Sequence, residues 1–400
     1  MKKILLLGGS FQQIIAIDTA KRLGLYTVLC DYLPDNPGQY KADKFYQIST
    51  TDKEAVLEIA QKEHIDYIIA YASDPAAPTS AYVAEKIGLP TNTYKSVEIL
   101  CNKDLFREFL LENDFDTPKA KGFQSMDEVL AEIGKFTLPI IIKPVDSSGS
   151  KGVTLLRSLE ELETAANFAF SYSRRHRIVI EEFIQKKHPY LIGGDIFVSE
   201  GEIILWGLMN CHRDNTVNPL VPVGKSYPPI LEMTDLQNIK NTLQKIVTKL
   251  GIRFGPMNVE LIIDKNNRVF PIDIGPRSGG NMIPDLLGLI FNCDVVEMCI
   301  KAAMGLNVKS KISEGKPFFA TLNLHSNHKG IFKNVEFSDE IEKYIIKKNI
   351  YKKTGDEVNY FANAANALGI IFFNFPNQDT MISMEEHMNE HIRIVIKDEK

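Results

Sequence analysis

The sequence contains little cysteine and no long apolar run. Its 400 residues include five scattered cysteines without a C-x-x-C pair: Cys30, Cys101, Cys211, Cys293 and Cys299. Such a set favours neither a disulfide framework nor a thiolate metal site. The first apolar run ends at Gly8-Gly9 after four residues, too short for a signal peptide. No run approaches the roughly 18 residues of a membrane helix, so we expect a cytoplasmic protein without a membrane partner.

The sequence also lacks an excess of positive charge. Its 46 Lys and Arg residues are outnumbered by 51 Asp and Glu residues, giving a formal net charge of -5. This balance offers nucleic acid no basic surface, so nucleic acid is not an expected partner. With 44% hydrophobic and 24% charged residues, the chain can bury a large core. Its length favours two or three domains.

The first quarter of the sequence alternates short apolar strands with helices. Examples are the strand KKILLLGG, the helix FQQIIAIDTAKRLG and the strand LYTVLCD. This alternation is typical of a parallel, doubly wound sheet, and we predict that this unit ends near residue 115.

The later segments have a different pattern. Residues 119–185 are predicted as strand, helix, strand, loop, strand, helix, strand. Longer, hairpin-like strands follow, with helices near 235–250, 281–290 and 294–304. The tail from about 315 mixes short strands with a helix predicted over DEIEKYIIKKN.

The turn LLLGGSFQQ invites a comparison with dinucleotide sites, with Asp31 as the ribose-binding acid. The fingerprint G-x-G-x-x-G is not met, because Gly8 and Gly9 are adjacent and Gln13 stands where the last glycine belongs. A tight strand-to-helix turn is the favoured interpretation, and NAD-dependent hydride transfer is the weaker alternative.

The loop VDSSGSKGV lies between the apolar strands LPIIIKP and GVTLL. Serine and glycine let backbone N–H groups turn toward a phosphate, and Lys151 adds positive charge. The P-loop spacing G-x-x-x-x-G-K-[ST] is absent. The loop is interpreted either as a flexible hairpin that closes over phosphates or as a plain surface loop; its candidate residues are Ser147, Ser148, Gly149, Ser150 and Gly152.

Lys143 ends the strand before this loop. An unpaired ammonium beside a buried strand is unfavourable, so Lys143 needs an anionic partner unless it is an edge lysine that reaches solvent. The segment IVIEEFI forms another strand. The chain leaving it could offer backbone N–H and C=O groups to an adenine edge, and a strand end with solvated acids is the alternative.

Two apolar strands flank Asn266-Asn267 in MNVELIIDKNNRVFPIDIGPRSGG. Asn tolerates positive φ, so a tight hairpin is predicted in which residue 265 pairs with 268. Glu260 then lies opposite Asp273 on one face, with Cβ atoms roughly 5 Å apart. A divalent cation, Mg²⁺ by its preference for oxygen ligands, would remove the repulsion. A shared proton or a salt bridge to Arg277 is the alternative.

Together these segments resemble the carboxylate–amine ligase branch of the ATP-grasp superfamily. They occur in the same order along the chain, up to about residue 310. The first unit resembles the pre-ATP-grasp domain. NKDLFREFL resembles the helix of the first nucleotide lysine, here Lys103, and IIKP the strand of the second, Lys143. DSSGSKGV resembles the mobile phosphate loop, EEFI the hinge between the lobes, and NVE with IDIGPR the two metal-bearing strands.

The resemblance implies a fold of α/β and α+β class. A Rossmann-like parallel sheet would occupy 1–115 and a small C-terminal α+β extension 311–400. Between them, a two-lobed ATP-grasp domain would span 116–310, with its lobes at about 119–185 and 190–310. The implied cofactors are ATP and Mg²⁺, with Mn²⁺ as an alternative metal.

The resemblance also implies residue roles. Lys103, Lys143 and the phosphate loop would hold phosphates, and Glu260 with Asp273 would hold the metal. Arg277 and Lys143 would act at the reacting phosphate or acyl group. The adenine would be edged by the hinge residues Glu181, Glu182, Phe183 and Ile184.

This sequence departs from the family pattern in two places. The last motif usually reads Glu-x-Asn-Pro-Arg, whereas Asp273, Gly275 and Arg277 stand here; the missing amide weakens the case for a second metal. The ribose-binding acid is left open, with His188 near its expected position and Asp195 further along the chain.

The implied reaction joins a small-molecule carboxylate to an amine through an acyl phosphate, with release of ADP. Substrate choice is expected in residues 208–229, where His212, Arg213 and Lys225 could hold a carboxylate; a solvated connecting loop is the alternative. A bicarbonate-using ATP-grasp enzyme and a nucleotide-binding regulatory protein without turnover remain rivals. A second copy of the chain is left open as a partner.

Overall fold

The protein is described by a computed structural model that covers residues 1–308 and 312–397. The boundary predicted at residues 310 and 311 lies outside the described residues. Among the described residues, no helix combines the length and the apolar composition needed to cross a bilayer.

The N-terminal unit is a four-stranded parallel sheet with strand order β3-β2-β1-β4. Residues of its inner strands, such as Leu5 and Val28, are buried, as expected of a sheet covered on both faces. Its helices begin and end at the signals in the sequence: the Asp52 side chain accepts from Ala55 N, and Gly88 ends a helix at φ 72°. The elements are β1 (Lys3–Leu7), α1 (Ile14–Arg22), β2 (Tyr26–Asp31), β3 (Lys44–Gln47), α2 (Lys53–Glu63), β4 (Tyr67–Ile69), α3 (Ala77–Ile87), α4 (Tyr94–Cys101) and α5 (Lys103–Glu112).

A small antiparallel sheet follows, with strand order β5-β8-β6-β7. Its two helices cover a core that includes Phe123, Ile142 and Ala166. The element order predicted for residues 119–185 is confirmed: β5 (Ala120–Phe123), α6 (Met126–Glu132), β6 (Ile140–Pro144), β7 (Thr154–Leu156), α7 (Leu162–Tyr172) and β8 (Ile178–Glu182).

The large sheet has eight antiparallel strands in the order β13-β12-β9-β10-β11-β14-β18-β16. The three helices predicted beside it are confirmed. The elements up to residue 324 are β9 (Leu191–Ser199), β10 (Glu202–Arg213), β11 (Pro222–Tyr227), α8 (Met233–Leu250), β12 (Gly255–Ile263), β13 (Val269–Gly275), α9 (Ile283–Phe291), α10 (Val295–Ala303) and β14 (Phe319–Leu324).

One apolar cluster joins the N-terminal sheet to the large sheet. Ile17 of α1, Leu286 of α9 and Ile300 of α10 are all fully buried in it. This shared core fixes the loops of the N-terminal unit against the end of β13.

The tail contributes β14, β16 and β18 to the large sheet and forms a three-stranded sheet of its own. The helix predicted over 339–349 is wrong beyond its first turn. Ser338 caps that turn by accepting from Ile341 N, but Ile345–Ile350 pairs with β18 as a strand, because the open edge of the sheet satisfies its backbone. The elements are β15 (Gly330–Phe337), α11 (Asp339–Glu342), β16 (Ile345–Ile350), β17 (Glu357–Val358), β18 (Gly369–Asn374), α12 (Gln378–Glu386), α13 (Met388–His391) and β19 (Ile392–Lys397).

The β12–β13 hairpin confirms that Glu260 lies opposite Asp273, although the turn differs from the predicted one. Residue 265 does not pair with 268. Instead Asp264 pairs with Arg268 around a three-residue turn in which Asn267 has φ 59°. This shifts the register by one residue, so that Leu261 faces Pro271. A bulge at Ile272 shifts the register back by one residue. The longer turn and the bulge therefore cancel, and Glu260 still lies opposite Asp273.

Asp264 holds this turn in place. Its Oδ1 accepts from Asn266 N and Arg268 N, both at 2.9 Å, and its Oδ2 accepts from the Arg268 guanidinium. Burial acts to raise the pKa of Asp264, but the hydrogen bonds from Arg268 and Asn266 lower it below its ordinary value. The stabilisation is therefore present at neutral pH and is lost as the pH falls into the acid range.

We expect Asp264→Ala to lower the free energy of unfolding by about 1–3 kcal/mol, because two part-buried backbone N–H groups and a charged partner lose their acceptor. Urea denaturation at pH 7 measures the change. Lys265→Ala, in the exposed part of the same turn, is the matched control and should leave the midpoint unchanged. Equal midpoints for the two variants would contradict the role of Asp264.

Candidate active site

A buried ion cluster joins α5, β6 and β8. Lys143 Nζ lies 2.5 Å from Glu181 Oε1, and Arg107 Nε lies 3.0 Å from Glu181 Oε2. All three side chains are at most 6% exposed. The anionic partner that the sequence required for Lys143 is therefore Glu181. Because two cations occupy the Glu181 carboxylate, an adenine contact at this residue is left to its backbone.

The charges in this cluster shift one another's pKa. Burial is the main reason that the pKa of Lys143 falls from 10.5 to about 8, and the nearby cations Arg107 and Lys103 lower it further against the pull of Glu181. Burial acts to raise the pKa of Glu181, but Arg107 and Lys143 hold it below the ordinary value. Lys143 therefore sits close to a protonation change at mildly alkaline pH.

Arg107 also fixes the bulge in β13. Its Nη2 donates to Ile272 O at 2.7 Å and its Nη1 to Pro271 O at 3.3 Å. These carbonyls belong to the segment where the bulge restores the register between Glu260 and Asp273. One arginine thus ties β8 to the strand that carries Asp273.

Lys103 and Asp273 meet at the wall of a cavity of about 310 Å³. Lys103 Nζ lies 3.2 Å from Asp273 Oδ2 and donates to Ser147 O at 3.0 Å. Burial opposes the charge on Lys103, but Asp273 and Asp74 raise its pKa. Partial burial likewise opposes ionisation of Asp273, but Lys103 and Lys143 lower its pKa. Both groups are therefore charged at neutral pH.

Glu260, the other carboxylate of the pair, has its own cation. Arg213 Nη2 lies 3.2 Å from Glu260 Oε1. The two acids are thus paired with Arg213 and Lys103, and the predicted alternative of a salt bridge to Arg277 is wrong. Lys225 Nζ lies 2.7 Å from Cys211 Sγ. Cys211 is two residues before Arg213 on β10, so both side chains point to the same face of the sheet.

His212 lies on the opposite face of the sheet. Its Nε2 contacts Ser226 Oγ at 2.8 Å and Glu385 Oε1 at 3.4 Å, so its ring faces α12. Successive side chains of a strand alternate between faces, and His212 therefore cannot join Arg213 and Lys225 at one substrate. The alternative interpretation of residues 208–229 as a connecting loop is wrong for most of the segment, which is largely the hairpin of β10 and β11.

Arg277 forks onto a carboxylate of the N-terminal unit. Its Nε donates to Asp74 Oδ1 at 2.7 Å, and its Nη2 donates to Asp74 Oδ2. Asp74 lines the 310 Å³ cavity, whereas Arg277 lines a separate cavity of about 100 Å³ behind it. Arg277 was predicted to act at the reacting phosphate or acyl group, and in this structure its guanidinium binds Asp74.

The phosphate loop makes polar contacts at both ends. Ser147 Oγ donates to Lys151 O at 2.8 Å, and Ser150 Oγ donates to Leu220 O at 2.7 Å. Gly149, Ser150 and Gly152 have φ between 60° and 72°, a region that suits glycine. Ser148 lies at the tip between these contacts.

The predicted hinge residues lie in the last two positions of β8 and directly after it. Glu182 Oε1 accepts from Thr137 N, Phe183 is 40% exposed and Ile184 is half-buried. His188 Nε2 lies 3.2 Å from Asp235 Oδ2. The Glu182 carboxylate and the His188 ring are thus each held by a protein partner.

Asp195 is not presented to a ribose in this structure. It is 1% exposed, and both carboxylate oxygens accept protein hydrogen bonds, one from Gly279 N at 2.7 Å and one from Asn258 Nδ2 at 2.8 Å. Burial raises its pKa to about 6. Its role here is to hold the turn that follows β13.

Two residues of this site, Arg107 and Asp74, were absent from the sequence-based candidates. Arg107 had a detectable signal, since it interrupts the apolar face formed by Phe106, Phe109 and Leu110 on α5. Asp74 had none, because its partner Arg277 is 203 positions away.

The donor set fits a metal ion that arrives with phosphate. Within residues 1–308 and 312–397, no three His, Cys, Asp or Glu side chains form a metal-binding group. Glu260 and Asp273 supply two hard oxygen donors on facing strands. Mg²⁺ is usually bound by one or two carboxylates and completed by water and phosphate oxygens.

Comparison with known proteins agrees with this architecture. The profile of the ATP-grasp domain matches residues 136–285. The formate-dependent phosphoribosylglycinamide formyltransferase of Prochlorococcus marinus (strain NATL2A) is 32% identical over 314 residues, covering 77% of this chain and 78% of the relative. The chain belongs to the ATP-grasp family, which confirms the resemblance inferred from its motifs.

Solved structures share the whole fold. The L-amino acid ligase from Bacillus licheniformis superposes with a TM-score of 0.82 at 19% identity, covering 100% of this chain and 99% of that one. The biotin carboxylase domain dimer of Hydrogenobacter thermophilus 2-oxoglutarate carboxylase, in complex with MgADP, ADP and bicarbonate, gives 0.75 at 17% identity over 99% and 91%. Identities this low show a common fold and leave the substrates to be argued separately.

We expect Arg107→Met to lower the free energy of unfolding by about 3–5 kcal/mol, because it removes one partner from a buried ion cluster. Urea denaturation measures the loss. Arg157→Met, at an exposed arginine, is the matched control. A change no larger than that of the control would show that the cluster does not depend on Arg107.

Proposed function

We propose that the protein is an ATP- and Mg²⁺-dependent ligase that activates a carboxylate as an acyl phosphate and joins it to an amine. The observation that carries this proposal is the meeting of Lys103, Asp273 and Ser147 at one cavity. A nucleotide lysine, a metal-binding carboxylate and the start of a phosphate loop come there from three separate elements. Such a gathering of charges suits phosphoryl transfer, which depends on positioning and electrostatic stabilisation.

In this proposal the nucleotide lies between the small four-stranded sheet of β5 to β8 and the large eight-stranded sheet. Lys103, Lys143 and the backbone N–H groups of residues 147–152 hold phosphate oxygens. The backbone from Glu181 to Ile184 meets the adenine edge. Glu260 and Asp273 would hold Mg²⁺, which supplies positive charge to phosphate oxygens during transfer.

The reaction then follows from charge and geometry. A carboxylate oxygen of the substrate attacks the γ-phosphorus, and the bond between that phosphorus and the β,γ-bridging oxygen breaks to release ADP. The amine attacks the acyl carbon, and phosphate leaves with the former carboxylate oxygen. Water must be excluded, because it would hydrolyse the acyl phosphate. The contact of Ser150 with Leu220 is one that a closed phosphate loop would use.

Arg213 and Lys225 are the proposed substrate cations. Arg213 pairs with Glu260, and its Nε atom is buried without an acceptor among the described residues. Lys225 is 8% exposed. A carboxylate-bearing substrate would satisfy both donors. Bicarbonate would meet the same cations, so it belongs in any substrate screen.

We expect ATP affinity to fall as the pH rises from 7.5 to 9.5. The pKa of Lys143 is about 8, so deprotonation in this range removes one cation from the phosphates, unlike an ordinary lysine of pKa 10.5. The loss should be roughly 10-fold, the lower end of one charge-assisted contact, because a single lysine that titrates within this range can remove no more than its own charged fraction. Calorimetric titration with a non-hydrolysable ATP analogue measures it.

Lys143→Arg is the control for this profile, because a guanidinium keeps its charge over the whole range. Its affinity should not change with pH above 7.5. A parent protein with a flat profile would remove Lys143 from the phosphate site.

The direct test of the proposed function is ADP release, screened over carboxylates and bicarbonate with and without amines. The parent should release ADP only when Mg²⁺ and a matching acid are present, and Mg²⁺–ATP should raise its melting temperature. Asp273→Asn should lose both effects, because an amide is a weaker metal ligand than a carboxylate. Asp18→Asn, at an exposed acid, should behave like the parent.

Two outcomes would overturn parts of this proposal. Metal-dependent stabilisation that persists in Asp273→Asn would remove Asp273 as a metal ligand. Mg²⁺–ATP binding without ADP release under any condition would favour a nucleotide-binding regulatory protein.

A further inference from the structure

Gly275 has no side chain at a position where the chain leaves no room for one. A β-carbon built on Gly275 would lie closer than 3.0 Å to Asp74 Oδ1, a separation that real β-carbons essentially never show. The φ of Gly275 is not in the left-handed region, so backbone conformation does not require glycine here. Glycine is required because the Asp74 carboxylate, from the loop between β4 and α3, occupies the space that a β-carbon would need.

Asp74 is held there by more than proximity. Arg277, two residues after Gly275, binds both of its carboxylate oxygens. The two side chains are 21% and 12% exposed. Burial would lower the pKa of Arg277, but Asp74 raises it, so the guanidinium keeps its charge beside the carboxylate.

The turn after β13 has a second tie to the N-terminal unit. Gln12 Oε1 accepts from Asn281 N at 2.7 Å. Asn281 and Met282 both have φ 54°, a conformation that surrounding contacts must maintain in non-glycine residues. The end of β13 is therefore fastened to the N-terminal sheet on both sides of Gly279.

We infer that Asp74 is a positioning residue of the proposed active site. Asp74 occupies the space that Gly275 leaves and, through Arg277, fixes the end of β13. Asp273 lies two residues before Gly275 on the same face of the strand. Asp74 and Asp273 line the same cavity as Lys103. The N-terminal unit thus sets the position of the Asp273 carboxylate, which Lys103 contacts. Only the expected effect on catalysis rests on the proposed function.

The test uses Gly275→Ala and Gly275→Asn, each of which should displace Asp74 or Arg277. We expect kcat for ADP release to fall on the order of 10- to 100-fold, the size of a lost charge-assisted contact. KM for ATP should stay near the parental value, because Lys143 and the hinge are untouched. Gly280→Ala is the matched control, since a β-carbon there meets only Gln12 Oε1 at 3.5 Å.

Rescue distinguishes positioning from a general loss of structure. Asp74→Ala should lower kcat as well, but combining it with Gly275→Asn should restore part of the activity, because the asparagine then fills the vacated space. A double variant no better than the worse single variant, or a Gly275→Ala variant that matches Gly280→Ala, would overturn the inference.

Urea denaturation tests the contact between Asp74 and position 275 without any measurement of turnover. In urea denaturation, the destabilisation by Gly275→Asn should be smaller in the Asp74→Ala background than in the parent, because residues in contact are not additive. If the parent releases no ADP, the proposed function fails. The difference in destabilisation between the two backgrounds still shows whether the side chains at positions 74 and 275 compete for one space. Strict additivity would reject the competition.

Discussion

The buried contact between Arg107 and Glu181 is the interaction on which the rest of the site depends. It links α5, which begins at Lys103, to β8, which leads into the hinge. The same guanidinium donates to the carbonyls beside the β13 bulge, and the same carboxylate accepts from Lys143. A charge this deeply buried is tolerable only when it is paired and hydrogen-bonded. The cluster therefore ties three segments together, and removal of Glu181 would leave two buried cations without their carboxylate.

Three carboxylates of the site are each paired with a cation before any ligand binds. Asp273 pairs with Lys103, Glu260 with Arg213, and Asp74 with Arg277. Polyanionic phosphates and a divalent cation would exchange these internal partners for external ones. An exchange of this kind avoids leaving a buried charge without a partner, which would be far more unfavourable than the pairs themselves.

The family relationship and the particular site are different levels of description. The fold is shared with TM-scores of 0.75 and 0.82 at identities below 20%, so the architecture tolerates replacement of most side chains. What distinguishes this chain lies in local arrangements such as Gly275 with Asp74. Function is decided by such arrangements and not by the fold that carries them.

The sequence by itself determined the features that depend on near neighbours. Strand alternation, glycine ends of helices, the serine–glycine loop after Lys143 and the hairpin that faces Glu260 with Asp273 all follow from local periodicity and turn chemistry. The hairpin also marks the limit, since its register was right only because a longer turn and a bulge offset each other. Tertiary structure alone decided that Arg107 holds that bulge, that His212 faces away from the site and that Asp74 fills the space beside Gly275. Pairing between residues as distant as 74 and 277 leaves no trace in periodicity, because it is set by which surfaces meet when the sheets pack.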